Sequence, residues 1–344
     1  MLYQLARPLL FSLDPERAHN LTLGTLDLAA RLGVAPLLSG GMVRATRKIM
    51  GLTFPNSVGL AAGLDKNAEH IDALSQLGFG FLEVGTVTPR PQPGNPPKRM
   101  FRIRSANAIV NRMGFNNGGV ERFVSNVRGS NYKGILGINI GKNFDTPIER
   151  AIDDYQTCLR AVYDCATYVT INISSPNTQN LRSLQEGPAL EHLLSGLATE
   201  RKALSDRHDR RVPIAIKISP DLDKDDVRFA ADAAARHEMD AIIATNTTVS
   251  RTGVEGLQHA EQAGGLSGAP LRERSTRTVE WLNESLAGSM PIIAAGGILS
   301  AADAVEKITA GASLIQIYTG LIYRGPQLIG ECARALRHSA EDTG

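Results

Sequence analysis

The chain has 344 residues, 42% of them apolar, so it is long enough to bury a large core in one or two domains. Its 37 basic and 35 acidic residues leave a net charge of +2, which excludes the strongly basic surface that nucleic-acid binding requires. Three cysteines, Cys158, Cys165 and Cys332, lack the spacing of a disulfide framework or a zinc site. We therefore expect no nucleic-acid partner, no bound metal and a reducing compartment.

The first 45 residues carry no strand pattern and form a helical segment of their own. Asp14-Pro15-Glu16 is typical of a helix start, and Leu21, Leu28 and Leu32 follow at helical spacing. The apolar run at 8–13 is far shorter than the ~18 residues that a membrane-spanning helix needs. We expect neither a transmembrane span nor a signal peptide.

This N-terminal segment has two interpretations. The first fifty residues hold six Lys or Arg and three Asp or Glu, a net charge of +3, which leaves −1 for the remainder. An apolar, mildly basic helical patch is typical of a surface that lies on an anionic membrane. The same pattern also fits a helical cap under the main domain, or a dimer contact.

From residue 54 onward, one pattern recurs eight times: a short apolar run, a polar or glycine-rich end, and a helix-compatible segment such as 68–77, which Gly78 ends. Unbroken apolar runs indicate strands buried on both faces, and therefore a parallel sheet. Eight such units predict an α/β fold, a (β/α)8 TIM barrel with an N-terminal helical extension, with a doubly wound open sheet as the alternative. We assign residues 1–45 to the extension and 46–344 to the barrel domain. The predicted strands are 58–62, 81–85, 135–140, 168–173, 213–218, 241–244, 292–295 and 314–317.

One of these units, at 86–134, is oversized. It contains two short runs, 99–103 and 108–112, that predict a β-hairpin. Long insertions after barrel strands usually build the walls of an active site, although a tolerated surface insertion would have the same length.

Candidate site residues follow the strands, because barrel active sites lie at the carboxyl ends of the strands. The stretch 172–178, Asn-Ile-Ser-Ser-Pro-Asn-Thr, offers amides and hydroxyls that suit a planar ring with alternating C=O and N–H groups. Ordinary turn chemistry is the alternative. Gly296-Gly297 and Tyr318-Thr319 follow the last two strands, where barrels commonly bind phosphate, unless the glycines serve only a tight turn.

Two lysines stand at positions where the positive charge is expected to need a negatively charged partner. Lys217 interrupts the apolar run 215–218, where an unpaired ammonium would be costly, so we expect an anion beside it. A phosphate, a reduced flavin ring or an internal carboxylate would serve. Lys66 stands beside Asp65, which could simply pair with it.

Four motifs together give the chain a family resemblance that covers nearly all of its length: AAGLDKN at 61–67, GTVTPRPQPGN at 85–95, NRMGFNN at 111–117 and NISSPNT at 172–178. With them, the chain resembles dihydroorotate dehydrogenases, specifically their membrane-associated, quinone-dependent class. It departs at Gln179-Asn180, where the family more often has Pro-Gly. Asparagine tolerates the left-handed conformation that such a glycine would take, so we expect the loop to keep its path.

The resemblance implies a non-covalently bound FMN as the cofactor. Lys217 would stabilise the negative charge of its reduced form. The implied cofactor-binding residues are Ala62, Gly63, Leu64, Asp65, Lys66, Thr86, Asn139, Asn172, Lys217, Thr245, Gly268, Gly297, Tyr318 and Thr319.

The resemblance also implies the reaction, the oxidation of dihydroorotate to orotate in pyrimidine biosynthesis. Ser175 would be the catalytic base that takes a proton from C5, helped by Thr178 or an ordered water, since a serine hydroxyl is a weak base. The soluble classes of the family have cysteine at this position. The implied substrate-binding residues are Lys66, Asn111, Arg112, Met113, Gly114, Phe115, Asn172, Asn177, Asn246 and Thr247.

By the same resemblance, a membrane quinone is the electron acceptor and the N-terminal helices admit it to the flavin. His19 and Arg102 are candidates for hydrogen bonds to the quinone head. The implied location is peripheral, on the cytoplasmic side of the inner cell membrane, and we expect a monomer.

Two rival functions stay open from the sequence. One is another FMN barrel that reduces pyrimidines, including dihydrouridine formation in RNA, which would need a basic surface and a cysteine proton donor. The other is a barrel that binds flavin or nucleotide through its phosphate without catalysis.

Overall fold

A closed barrel of eight parallel strands forms the centre of the molecule in the computed structural model, which describes residues 2–39 and 41–341. The barrel order is β3-β4-β7-β8-β9-β10-β12-β13, and β13 pairs with β3. All eight predicted strands are confirmed with ends within two residues, and the open-sheet alternative is wrong. The strands are β1 (Arg47–Ile49), β2 (Leu52–Phe54), β3 (Val58–Leu60), β4 (Phe81–Val87), β5 (Met100–Ile103), β6 (Ala108–Asn111), β7 (Ile135–Ile140), β8 (Tyr168–Asn172), β9 (Ile214–Ile218), β10 (Ala241–Ala244), β11 (Gly265–Gly268), β12 (Ile292–Ala295) and β13 (Leu314–Ile317).

Helices follow the barrel strands and pack around them. The helix predicted at 68–77 is shorter, because Ala68 has a φ of 60° and the helix begins only at Ile71. The α-helices are α1 (Leu2–Ser12), α2 (Pro15–Arg31), α3 (Ile71–Ser75), α4 (Val120–Gly129), α5 (Ala151–Val162), α6 (Gly187–His208), α7 (Lys224–Arg236), α8 (Arg272–Leu286), α9 (Ala301–Thr309), α10 (Thr319–Arg324) and α11 (Gln327–Glu341).

The amino end of the barrel is filled by apolar side chains. Phe81, Ile135, Tyr168 and Leu314, the first residues of their strands, are buried there in one cluster. The short hairpin β1–β2, which the sequence did not predict, adds Phe54 to this cluster, and its ring meets that of Phe81 edge to face at 5.1 Å. The hairpin therefore acts as a plug, and its burial is driven by the same hydrophobic effect as the rest of the core.

Above this plug lies a layer of polar side chains inside the barrel. Glu83 is fully buried, and its carboxylate accepts hydrogen bonds from Tyr168 (2.9 Å), Thr170 (3.1 Å) and Gln316 (2.7 Å). Buried polar groups persist only where they are hydrogen-bonded. This layer supports the carboxyl end of the barrel from below.

A second sheet lies outside the barrel and is built from the long insertion. The predicted hairpin is confirmed as β5 and β6, which pair in antiparallel fashion. A third strand, β11, was not predicted; it pairs with β6 and comes from the loop after β10. Because its residues belong to two distant parts of the chain, this sheet ties the insertion to the barrel rim.

The N-terminal helices are tied to the loops of the barrel. The predicted start of α2 is confirmed, since the Asp14 carboxylate accepts from the backbone N–H of Glu16 at 3.0 Å and of Arg17 at 3.1 Å. Glu16 also pairs with Arg99 at 2.8 Å. Within the described residues, no helix has the length and apolar character to cross a membrane.

Both N-terminal helices nevertheless present leucines to solvent. Leu5 and Leu9 on α1 are 78% and 71% exposed, and Leu32 beyond α2 is 68% exposed. Leu23 and Leu26 on α2, by contrast, are buried in the main core. Exposed apolar side chains that lie together mark an interaction site.

Candidate active site

One cavity occupies the carboxyl end of the barrel, bounded by the strand ends, the outer sheet and the loop after β3. Its empty volume, open mouth included, is ≈ 1140 Å³. The predicted site residues that line it are Ala62, Gly63, Lys66, Thr86, Asn111, Met113, Gly114, Phe115, Asn172, Ser175, Asn177, Lys217, Thr245, Asn246, Thr247, Gly268, Gly297, Tyr318 and Thr319.

Ser175 reaches the cavity from the loop after β8. Its side chain is almost fully buried, and its hydroxyl oxygen accepts one hydrogen bond, from the backbone N–H of Asn177 at 3.2 Å. The nearby Thr178 hydroxyl is buried and has no hydrogen-bond partner among the described residues. This loop therefore holds two hydroxyl groups with unused hydrogen-bonding capacity.

A chain of amides fixes the direction of the polar groups on the cavity floor. Asn139 donates to the Glu83 carboxylate at 2.8 Å, which leaves its amide oxygen to accept from Thr86 at 2.6 Å and from Asn172 at 3.1 Å. The amide oxygen of Asn172 in turn accepts a hydrogen bond from the NH₂ group of Asn246 at 3.3 Å. Because the carboxylate only accepts here, it sets the donor and acceptor direction of each amide in the chain.

Lys217 projects from β9 into the cavity. No carboxylate of the described residues lies within ion-pair distance, and its ammonium donates no hydrogen bond to them. Burial lowers the pKa of Lys217, and the negative charge of Glu83 opposes that shift. The cavity thus presents a buried cation that an anionic ligand would stabilise.

A second lysine lies on the other side of the cavity, next to α2. Burial lowers the pKa of Lys66 to about 8, although the charges of Glu16 and Asp65 act in the opposite direction. Asp65 does not pair with it; the Asp65 carboxylate accepts from the backbone N–H of Glu69 at 2.9 Å and of His70 at 2.8 Å. Lys66 is therefore available to a ligand carboxylate.

The glycine turns at the far end of the cavity leave no room for side chains. A Cβ on Gly297 would lie 2.3 Å from the Cα of Arg272, and one on Gly268 would lie 2.2 Å from the carbonyl oxygen of Asn107. Both glycines have positive φ, 75° and 97°. Thr319, whose hydroxyl donates to Ser267 at 2.9 Å, completes this end. Such turns let a phosphate approach backbone N–H groups closely.

Four predicted site residues do not line the cavity. Leu64 is buried in the main apolar core, and Asp65 bonds to backbone groups. Asn139 lies behind Thr86. The guanidinium of Arg112 turns away, over the ring of Phe101 at 4.8 Å.

Several cavity-lining residues were not predicted. Gln316 interrupts the apolar strand β13, and its buried amide oxygen has no partner among the described residues. This is the same signal that drew attention to Lys217, so the sequence could have revealed it. The other unpredicted lining residues include Met100, Ile109, Asn116, Ser267, Leu271 and Ala295.

The two quinone candidates lie beside the N-terminal helices. Burial lowers the pKa of His19 to about 3, so its ring is neutral. Arg102 donates to the carbonyl oxygens of Leu10 (3.1 Å) and Leu13 (2.5 Å), and its guanidinium lies 4.8 Å from the Phe11 ring centroid. Neither residue lines the cavity at the carboxyl end of the barrel.

Comparison with known proteins decides the family. A family model described as dihydroorotate dehydrogenase matches residues 44–339. The chain belongs to the dihydroorotate dehydrogenase family. It is 58% identical over 341 residues to a dihydroorotate dehydrogenase (quinone) of Nitrosospira multiformis, with 98% of this chain and 96% of the relative covered. A protein of the same description from Methylococcus capsulatus is 59% identical over 337 residues, with coverage of 98% and 99%.

A solved family structure has the same fold. The crystal structure of DHODH from Eimeria tenella in complex with ferulenol superposes with a TM-score of 0.86 at 36% sequence identity, covering 96% of this chain and 93% of that chain. At the point where the chain departs from the family, Asn180 adopts the predicted left-handed conformation with a φ of 54°. Each of the four motifs contributes residues to the lining of the cavity.

Proposed function

We propose that this protein is a dihydroorotate:quinone oxidoreductase. It would oxidise (S)-dihydroorotate to orotate in pyrimidine biosynthesis and pass the electrons to a membrane quinone. The observation that carries the proposal is the position of Ser175 beside the amide chain, in a cavity that also holds an unpaired lysine. Relatives described as quinone-dependent dihydroorotate dehydrogenases, at 58% and 59% identity, support it.

The cavity fits FMN as the cofactor. The glycine turns at Gly268 and Gly297 suit its phosphate, and the unpaired Lys217 suits the negative charge that its ring gains on reduction. When bound, FMN would supply the redox chemistry that takes a hydride equivalent from C6 of dihydroorotate and returns the electrons to quinone. The proposed cofactor-binding residues are Ala62, Gly63, Leu64, Asp65, Lys66, Thr86, Asn139, Asn172, Lys217, Thr245, Gly268, Gly297, Tyr318 and Thr319; among them, Leu64, Asp65 and Asn139 would act from behind the lining.

Protein groups elsewhere in the same cavity would bind the substrate. Lys66 would pair with the dihydroorotate carboxylate, and four asparagines would bond to the ring amides. Ser175 would take the proton from C5, and Thr178, whose buried hydroxyl has no partner among the described residues, would help to pass it onward. The proposed substrate-binding residues are Lys66, Asn111, Arg112, Met113, Gly114, Phe115, Asn172, Asn177, Asn246 and Thr247.

The exposed leucines of the N-terminal helices support a peripheral association with the membrane that holds the quinone. We place the protein on the cytoplasmic side of the inner membrane, as a monomer. His19 and Arg102 remain the candidates for the quinone head, since both lie where α1 and α2 meet the barrel loops.

The deciding experiment is the flavin absorbance of the purified protein under anaerobic conditions. L-Dihydroorotate is expected to bleach the flavin, and a short-chain quinone, but not fumarate or NAD, is expected to restore the colour. A bound flavin that stays oxidised would favour a flavin-binding barrel without this activity. Protein that carries no flavin would overturn the cofactor assignment.

Orotate binding is expected to weaken as the pH rises through about 8, the pKa of Lys66, because only the protonated amine attracts the ligand carboxylate. The Kd should be flat below that pH and rise up to about tenfold per unit above it. Lys66→Met should bind about 10- to 100-fold more weakly, without this pH dependence. Fluorescence titration of the bound flavin with orotate measures both, and an unchanged wild-type Kd at pH 9.5 would rule out the ion pair.

Leu5→Glu with Leu9→Glu is expected to slow turnover with a long-chain quinone in lipid vesicles by about tenfold, because two charges on these exposed positions oppose membrane contact. Turnover with a water-soluble short-chain quinone should stay unchanged. Val249→Glu, also at an exposed apolar position, is the matched control. Equal turnover of the double variant and the control in vesicles would place the membrane surface elsewhere.

A further inference from the structure

Arg182 bridges the two loops that carry the reactive groups, which also meet in hydrogen bonds from Asn246 to Asn172 at 3.3 Å and to Ser174 at 3.0 Å. Arg182 follows the Asn180 turn and lies outside the cavity lining, with its side chain 23% exposed. Its Nε donates to the carbonyl oxygen of Ser174 at 3.1 Å, and one terminal nitrogen donates to that of Thr247 at 2.8 Å. Ser174 directly precedes Ser175, and Thr247 directly follows Asn246.

The third contact of this guanidinium comes from the strand between the two loops. The barrel order is β8-β9-β10, so the loops that hold Ser174 and Thr247 are separated by the end of β9. Asp221 lies in the loop after β9 and pairs with Arg182 at 2.7 Å. The planar guanidinium thus reaches three consecutive strand ends through three separate nitrogens, whereas a lysine would have to donate from a single nitrogen.

Asp221 holds one of these loops independently of Arg182. Its carboxylate also accepts from the hydroxyl of Thr248 and, at 2.9 Å, from the backbone N–H of Val249. The loop after β8 has no such second attachment to Asp221. Loss of Arg182 would therefore loosen chiefly the segment 174–182, which contains Ser175 and would keep the 3.0 Å hydrogen bond from Asn246 to the Ser174 hydroxyl.

We propose that Arg182 is a positioning residue, which fixes the Ser175 loop relative to the Asn246 loop through Asp221. This inference rests on the proposed function, because it concerns the placement of the base relative to the ring of the substrate. A displacement of the order of 1 Å in such a loop can slow the chemical step about 10²-fold.

The test compares Arg182→Ala with Arg274→Ala. Arg274 is the matched control, because it also reaches Asp221, at 3.4 Å, but donates to neither loop carbonyl. Arg182→Ala is expected to slow reduction of the bound flavin by about 10- to 100-fold in anaerobic stopped flow, with FMN content unchanged. Added guanidinium ion should recover part of the rate, and Arg274→Ala should stay within about twofold of wild type.

Arg182→Lys keeps the positive charge but loses the three separate donor nitrogens, so it tests whether the bridging contacts matter beyond the charge. It also provides a test if the alanine variant fails to fold. It keeps the charge beside Asp221, so a wild-type rate in this variant would overturn the proposal, as would equal losses in the Arg182 and Arg274 variants.

Amide hydrogen exchange of 174–182 gives a readout that needs no turnover. It should rise in both Arg182 variants and not in Arg274→Ala, and unchanged exchange would overturn the proposal. Wild-type flavin that dihydroorotate fails to reduce would instead refute the proposed function.

Discussion

Ser175→Ala is expected to slow reduction of the bound flavin by dihydroorotate by about 10²- to 10⁴-fold, the usual contribution of a general base. The hydroxyl oxygen accepts only the 3.2 Å bond from Asn177, so its loss costs about 1 kcal/mol of folding stability or less. FMN content and orotate affinity should therefore stay near wild type. Anaerobic stopped-flow absorbance measures the rate, and visible absorbance of the purified protein measures the cofactor.

Ser175→Cys is the control for this prediction. A thiol of similar size can also take a proton, so this variant is expected to keep part of the rate that the alanine variant loses. Wild-type rates in Ser175→Ala would remove Ser175 from the role of base. Thr178, the nearby buried hydroxyl without a partner, would then be the next candidate.

Gly297→Ala is expected to yield protein without bound FMN. The added Cβ would meet backbone, 2.3 Å from the Cα of Arg272, and would force a non-glycine residue to a φ of 75°. Backbone cannot move aside as a flexible side chain can, so the turn after β12 must shift, at a cost of about 1–3 kcal/mol. Absorbance and cofactor titration of the refolded and native protein measure the loss.

Gly256→Ala is the matched control, because Gly256 has a similar φ of 71° but nothing within 4 Å of the added Cβ. The Gly256 variant therefore measures the free-energy cost of placing alanine at a positive φ, without the added cost of a steric clash. If Gly297→Ala binds FMN as tightly as Gly256→Ala, the phosphate does not lie on this turn.

The fold was predictable because its signals are local. Each barrel strand is a mostly apolar run with a glycine or a polar residue at or near its end, and such a run can be recognised without knowing which strands it pairs with. The β1–β2 hairpin was missed because each of its strands has only three residues, too few for a recognisable pattern, and because the Phe54–Phe81 contact that fixes it joins distant strands. Strand β11 was missed for the same reason, since only its pairing with β6 makes it a strand.

The positions of the candidate site residues were predictable in part. Most of them were correctly expected at the cavity, because they belong to the family motifs or follow the ends of barrel strands. Their sequence does not show that the Arg112 guanidinium points away from the cavity, or that the Asp65 carboxylate bonds to backbone N–H groups. The direction of the amide chain depends on Glu83, a buried carboxylate whose four partners come from three different strands. No sequence pattern encodes such a set of contacts. The roles of these residues in binding and catalysis stay predictions.

The plugged amino end of the barrel limits how molecules reach its centre. With Phe54 and its neighbours filling that end, every reactant has to come and go across the opposite rim, which α1, α2 and the long insertion border. Both reactants therefore approach the same end of the barrel, and the filled end contributes to stability alone.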